Sequence, residues 1–196
     1  MKMTRKLQRE WLKGEQRLVK GLSVGALALA LSFTVMPPVW ASTITASDSF
    51  YQSTIQRKDN VYNISEQKHK GTLGYNLFKD FTISNGDVAN LLLKDDTTKL
   101  LNLVSEKISI DGIVNSYQKN KIGGNVYFIS PKGIAVGAKG VLNVGSLMLG
   151  TNMFNAYLDY SMGKLDGDYT GEADIVIGGQ LNALTNIDVR AKNVTI

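Results

Sequence analysis

Few residues in this chain are placed to do chemistry. His69 is the only histidine and there is no cysteine, so thiolate metal sites, cysteine nucleophiles and disulfides are excluded together. No His-x-x-x-His pair, nucleophile elbow or P-loop is present. The glycine-rich tract Gly133–Gly145 lacks the Gly-Lys-Ser/Thr and the strand-to-helix setting that a phosphate loop requires. Asp95-Asp96 and Asp166/Asp168 could act as carboxylate pairs or hold calcium, but each sits in a polar stretch where solvated charge is the expectation. His69, flanked by Lys68 and Lys70, is likewise expected to be solvated. This pattern predicts a chain that is not an enzyme and needs no cofactor.

Charge then divides the chain. Of 22 basic and 17 acidic residues, positions 1–41 hold seven and two, which leaves fifteen of each in the remainder. Nucleic-acid binding needs clustered excess cation, so a nucleic-acid partner is disfavoured. The basic start is followed by the uncharged run Gly21–Met36, by Pro37-Pro38, and by Val39-Trp40-Ala41 before Ser42. Basic, apolar, then small-x-small is the order of a signal peptide, predicted over 1–41 with Val39, Ala41 and Ser42 at its cleavage site. A membrane span wants about 20 apolar residues, and this run is shorter. Arg5-Lys6 is not a twin arginine, so the Sec machinery is the expected first partner.

The rest reads as strands and turns. Sixteen of the 19 glycines follow position 41, among many Val, Ile, Leu, Asn and Thr. Residues 42–72 are polar and read as an N-terminal cap or lead-in. From Leu73 onward short apolar runs alternate with turn signals. An imperfect repeat stands out: Ile108-Ser-Ile110-Asp-Gly112-Ile-Val114-Asn115 aligns with Ile175-Val-Ile177-Gly-Gly179-Gln-Leu181-Asn182. Ile134-Ala-Val136 followed by Gly140-Val-Leu142-Asn143 aligns with both. Ile187-Asp-Val189 followed by Val194-Thr-Ile196 reads as a third variant. One such unit cannot bury its apolar face alone, whereas stacked coils can. The expected fold is therefore all-β, a right-handed parallel β-helix with an N-terminal cap and short extra-helical strands. The handedness rests on the general crossover rule and on the resemblance given next. The uneven spacing requires an excursion, expected to be polar, over residues 152–172. Further coils follow over 173–196, where the apolar pattern stops abruptly, as in a fragment of a longer protein.

Gly124–Thr151 resembles the filamentous-haemagglutinin N-terminal, or two-partner secretion, domain. The family's strand, Asn-Pro-Asn-Gly-Ile turn and Asn-Val-Gly-Gly appear here as Val126–Ile129, then Ser130-Pro131-Lys132-Gly133-Ile134, then Asn143-Val144-Gly145-Ser146. Asn76-Leu77-Phe78-Lys79-Asp80-Phe81 resembles its Asn-Leu-Phe-x-x-Phe, and Ile110-Asp111-Gly112 its Ile-Asp-Gly. Asn186–Ile196 resembles coils of leukotoxin-like filamentous adhesins. Two departures stand out: Ser-Pro-Lys replaces Asn-Pro-Asn, which alters the side-chain bracing of that turn, and the stretch before Ile-Asp-Gly is shorter. The resemblance implies a secretion domain over 73–151. It would engage the POTRA repeats of an outer-membrane partner transporter and carry a large adhesin to the surface or medium of a Gram-negative-type bacterium. Any host receptor is left open. A secreted β-helical polysaccharide-active enzyme and an autotransporter passenger fragment are the alternatives.

Overall fold

The computed structural model describes residues 41–196, so the signal-peptide expectation, Val39 included, lies outside the described residues apart from Ala41. Among these residues the chain is all-β except for two short helical segments. Strands Thr43–Ala46 (β1), Ile55–Lys58 (β2), Val61–Ser65 (β3) and Lys68–Lys70 (β4) precede the long strand Leu73–Ile83 (β5). There follow Val88–Leu92 (β6), Lys99–Val104 (β7), Ile108–Ile110 (β8), Ile113–Gln118 (β9), Lys121–Ile122 (β10), Asn125–Ile129 (β11), Ile134–Val136 (β12), Val141–Val144 (β13) and Ser146–Gly150 (β14). After the helix Met153–Ser161 (α1) come Ile175–Ile177 (β15), Gln180–Ala183 (β16), Ile187–Arg190 (β17) and Val194–Thr195 (β18).

These strands build parallel ladders that the chain visits in a fixed order. The first runs β5-β7-β11-β14-β17 and the second β5-β8-β12-β15-β18; β5 is long enough to serve both. The third runs β3-β6-β9-β13-β16. The registers confirm the repeat read from sequence. Ile134 pairs with Ile108 on one side and Ile175 on the other, and Asn143 pairs with Asn115 and Asn182. The third variant is displaced. Ile187 pairs with Leu147 in the first ladder, and Val194 is the residue aligned with Ile175. The i, i+2 apolar spacing that suggested the match is common to every inward strand, so it cannot say which ladder a strand joins.

Alternate side chains point inward and are buried, forming one core from Phe78, Phe81, Ile110, Val114, Phe128, Ile134, Leu142 and their neighbours. Phe81 packs edge-on against both Phe78 and Phe128, with ring centroids 5.4 and 5.1 Å apart. A column of glycines turns the corner between the second and third ladders. A Cβ on Gly112 would strike the carbonyl oxygens of Asp87 and Ser84, one on Gly140 that of Ile110, and one on Gly179 those of Gly140 and Gly137. Close approach of one turn of chain to the next, rather than a left-handed backbone, is what demands glycine there.

Residues 42–72 lie along the first turn. β1 and β4 pair antiparallel with β5, and β3 pairs parallel with β6 while β2 pairs antiparallel with β3.

The 152–172 segment leaves the ladders between β14 and β15. It holds α1, not foreseen from sequence, which packs a second apolar cluster onto the outer side of the first ladder: Ala156, Tyr160, Leu165 and Tyr169 cover Leu73, Tyr75, Leu101, Leu103 and Ile129. Local chemistry defines both ends of α1. The Asn152 side chain accepts from the Asn155 N–H. Gly163, at φ +78°, closes the other end, donating to the Tyr160 carbonyl while Lys164 donates to that of Asp159. Asp159 is buried; its Oδ2 accepts from the Tyr169 hydroxyl at 2.9 Å and the Gly167 N–H at 2.9 Å.

Candidate functional site

The residues singled out from sequence do not converge on one cleft; they hold core positions and corners along the stack. Asn76 is fully buried and points inward. Its Oδ1 accepts from the Gln67 N–H at 2.9 Å, and its Nδ2 donates to Asn102 Oδ1 at 2.9 Å. Asn102 Nδ2 in turn donates to the Tyr127 carbonyl. Asn76 thus ties the N-terminal segment to two successive turns of chain, through amides that would be costly to leave unpaired at this depth. Phe78 and Phe81 lie beside it in the aromatic cluster.

Ile110 is buried beneath Val136, with which it pairs. Asp111 is exposed at the corner, its Oδ1 filling the place where a Cβ on Gly137 would lie. Gly112 begins the glycine column. Ser130 through Gly133 form a tight turn closed by the Gly133 N–H on the Ser130 carbonyl, with Gly133 at φ +89°. Serine, proline and glycine stand at the first, second and fourth positions that a type I turn favours. The buried Ser130 hydroxyl supplies the bracing that an asparagine would give. It donates to the Glu106 carbonyl at 2.7 Å and accepts from the Lys132 N–H at 3.1 Å. Pro131 and Lys132 are exposed, and Ile134 is fully buried. Asn143 is one step of an amide ladder on the outer side of the third ladder. Asn182, Asn143, Asn115 and Asn90 each donate to the asparagine one turn below, ending on Asn63, at 2.8 to 3.1 Å. Gly145 stacks on Gly124, whose N and O leave no room for a Cβ. Ala41 is exposed, whereas Ser42 is buried; its Oγ accepts from the Ser84 N–H and its carbonyl from the Tyr62 hydroxyl.

Two polar groupings went unread in the sequence. The first corrects the expectation for His69. Its Nδ1 lies 2.7 Å from Glu66 Oε2 and its side chain is mostly covered, while Nε2 faces Asp96 Oδ2 at 3.5 Å. The Glu66 carboxylate is buried and also accepts from the Lys94 N–H and the Thr97 hydroxyl. Glu66 stands only three residues before His69, but Lys94, Asp96 and Thr97 lie some thirty residues further along the chain, where no local spacing could have signalled them.

The second is a cleft of about 230 Å³ on the outer side of the first ladder, where Lys99, Tyr127, Asp166, Asp188 and Arg190 come together. Arg190 is fully engaged there: it grips the Asp188 carboxylate and donates to the Gly167 carbonyl. Those Asp188 contacts raise the guanidinium pKa further above its ordinary value, so Arg190 is no base. Lys99 is tied to the Leu165 carbonyl at 2.6 Å. Burial raises the Tyr127 phenol, with Asp188 adding to it, so this hydroxyl stays protonated. Among the described residues no group of three or more His, Asp or Glu side chains is placed to hold a metal ion.

Compared with known proteins, the chain matches no family model, no curated protein and no solved structure.

Proposed function

We propose that this chain is the secretion domain of a large exported adhesin of the two-partner type, and that its stacked ladders form a right-handed parallel β-helix. The observation that carries the reading is the burial of the export-motif candidates. Asn76, Phe78, Phe81, Ile110 and Ile134 are inaccessible once the chain has folded. A partner can read them only while the chain is extended, as it would be in the periplasm. Folding beyond the outer membrane then hides the signal and makes return unfavourable, because a core of this kind must be unpacked to expose it again.

Other features support the same reading. The right hand follows from the general rule for parallel crossover connections. The N-terminal segment caps the first turn of chain, so coils can add in sequence onto a finished base. While the chain is extended, its strand-forming segments can augment the edge of a POTRA sheet. On this account the chain has no reaction to catalyse; the alternative reading is a secreted polysaccharide-active enzyme.

The test is binding to the isolated POTRA repeats of a filamentous-haemagglutinin-type partner pore. Chain freshly diluted from denaturant should bind, refolded chain should not, and Phe81→Ala should weaken binding of the unfolded form. Binding by folded chain alone would contradict the proposal.

A further inference from the structure

Three pairs in the chain place a glycine after a side chain that can close a ring onto the glycine nitrogen: Asn85-Gly86, Asp111-Gly112 and Asp166-Gly167. In such a pair the nitrogen attacks the side-chain carbonyl carbon, and glycine has no Cβ to obstruct it. Every other asparagine is followed by a residue that has one.

The fold treats the three pairs differently. The Gly112 N–H is held by the Ile83 carbonyl at 3.0 Å, and the Gly167 N–H by Asp159 Oδ2 at 2.9 Å. Neighbouring atoms also crowd both glycines where a Cβ would lie, so neither peptide has room to turn. Gly86 is the opposite case. Asn85 and Gly86 are exposed at the tip of the turn 84–87, with Gly86 at φ +91° and nothing within 4 Å of a Cβ placed on it. The Asp87 N–H closes this turn on the Ser84 carbonyl, and the Gly86 carbonyl accepts from Asn60 Nδ2. Those bonds leave the Gly86 N–H and the Asn85 amide without a partner among the described residues.

We propose that Asn85 is a self-modification site, converting to aspartate and isoaspartate in the folded protein with water as the only co-reactant. The bond that forms joins Gly86 N to Asn85 Cγ. The bond that breaks is Cγ–Nδ2, and the nitrogen leaves as ammonia with the proton lost by Gly86. Water then opens the cyclic imide. Attack at the side-chain carbonyl gives aspartate, and attack at the main-chain carbonyl routes the backbone through Cβ as isoaspartate. Nothing is oxidised or reduced.

Either product adds a carboxylate two residues from Asp87. Isoaspartate also lengthens the backbone at the corner that sets β6. Just beyond it Val88 donates to the Asn60 carbonyl at 2.8 Å, and the Asp87 carbonyl accepts from Ile113 at 3.0 Å. The longer link pulls on both bonds and loosens the first turn of the stack.

The test incubates the full folded chain in mildly alkaline buffer made with heavy-oxygen water, because ring opening takes its new oxygen from water. A parallel sample is kept in denaturant. Trypsin releases the peptide 80–94, which carries Asn85 and Asn90 together. In the folded sample Asn85 should take up the label and appear as both products. Asn90, which donates to Asn63 and precedes Leu91, should stay intact. Folding should slow isomerisation at Asp111 and Asp166 about fivefold or more, the worth of one hydrogen bond, and should slow Asn85 less. Asn85→Gln, whose ring would be one atom larger, should abolish the labelling with circular dichroism unchanged. Chain carrying isoaspartate should melt below fresh protein, while Asn85→Gln incubated alike should not change. An unlabelled Asn85 in the folded chain, conversion of Asn90 as fast as Asn85, or protection of Asn85 as strong as that of Asp111 and Asp166 would each overturn the proposal.

Discussion

The carboxyl carbon of Glu66 lies 2.7 Å from the point that a Cβ on Gly74 would occupy. Gly74 thereby makes the niche in which Glu66 accepts from Lys94 and Thr97 and pairs with His69. This polar knot joins the N-terminal segment to the loop between β6 and β7. Gly74→Ala should cost about 1–3 kcal/mol, either by overpacking or by pushing the carboxylate out of its hydrogen bonds. Glu66→Ala should cost a similar amount, and the two together less than their sum, because they break the same knot. Urea unfolding midpoints of the two single variants and the double variant measure this; strict additivity would show that the niche and the knot are unrelated.

The glycine column makes a sharper comparison. Gly140→Ala places a methyl against the Ile110 carbonyl and should destabilise by about 1–3 kcal/mol. Gly123→Ala meets nothing nearer than 3.8 Å and should stay within about 0.5 kcal/mol of the parent. Thermal midpoints in one buffer decide it, and equal losses would mean that the corners are not close-packed.

Inward and outward asparagines should differ. Asn102→Ala strands the Asn76 amide and the Tyr127 carbonyl inside the core, at about 2–4 kcal/mol. Asn115→Ala interrupts the outer amide ladder, where water can replace its partners, at about 1 kcal/mol. Chemical denaturation at constant slope tests the order.

Much of this fold is legible in the sequence, because inward Ile, Val and Leu at i, i+2 and corner glycines recur wherever one turn of chain lies on the next. Ile108, Ile134 and Ile175 align through their flanking residues alone, and they share one ladder. Helix α1 was not legible. Its apolar residues face both ways, Ala156 and Tyr160 inward and Phe154, Tyr157 and Leu158 outward, so no single stripe stands out. The surrounding Asp, Asn and Gly then look like loop. Asn76 stands out for its motif, yet its tie to Gln67 and Asn102 exists only once distant strands are set in register.

Alkaline pH should reveal the buried phenols. Burial is the main cause that raises Tyr75 and Tyr169 above the ordinary tyrosine range; around Tyr169 the Gly167 bond opposes the rise and Asp159 adds to it. The folded chain then keeps protons that the unfolded chain releases from about pH 10. Stability from these groups is complete below that pH and falls as pH rises toward the folded-state values. Tyr75 and Tyr169 should ionise only with unfolding. Phenolate absorbance followed alongside circular dichroism checks this, and Tyr75→Phe should soften the alkaline loss.

The most direct test of the central proposal is secretion from a cell carrying a matching outer-membrane partner pore, compared with the same cell without it. Folded protein beginning at Ser42 should reach the medium only when the pore is present. Protein that remains in the periplasm in both cells, or that reaches the medium in both, would contradict the assignment of this chain as a two-partner secretion domain.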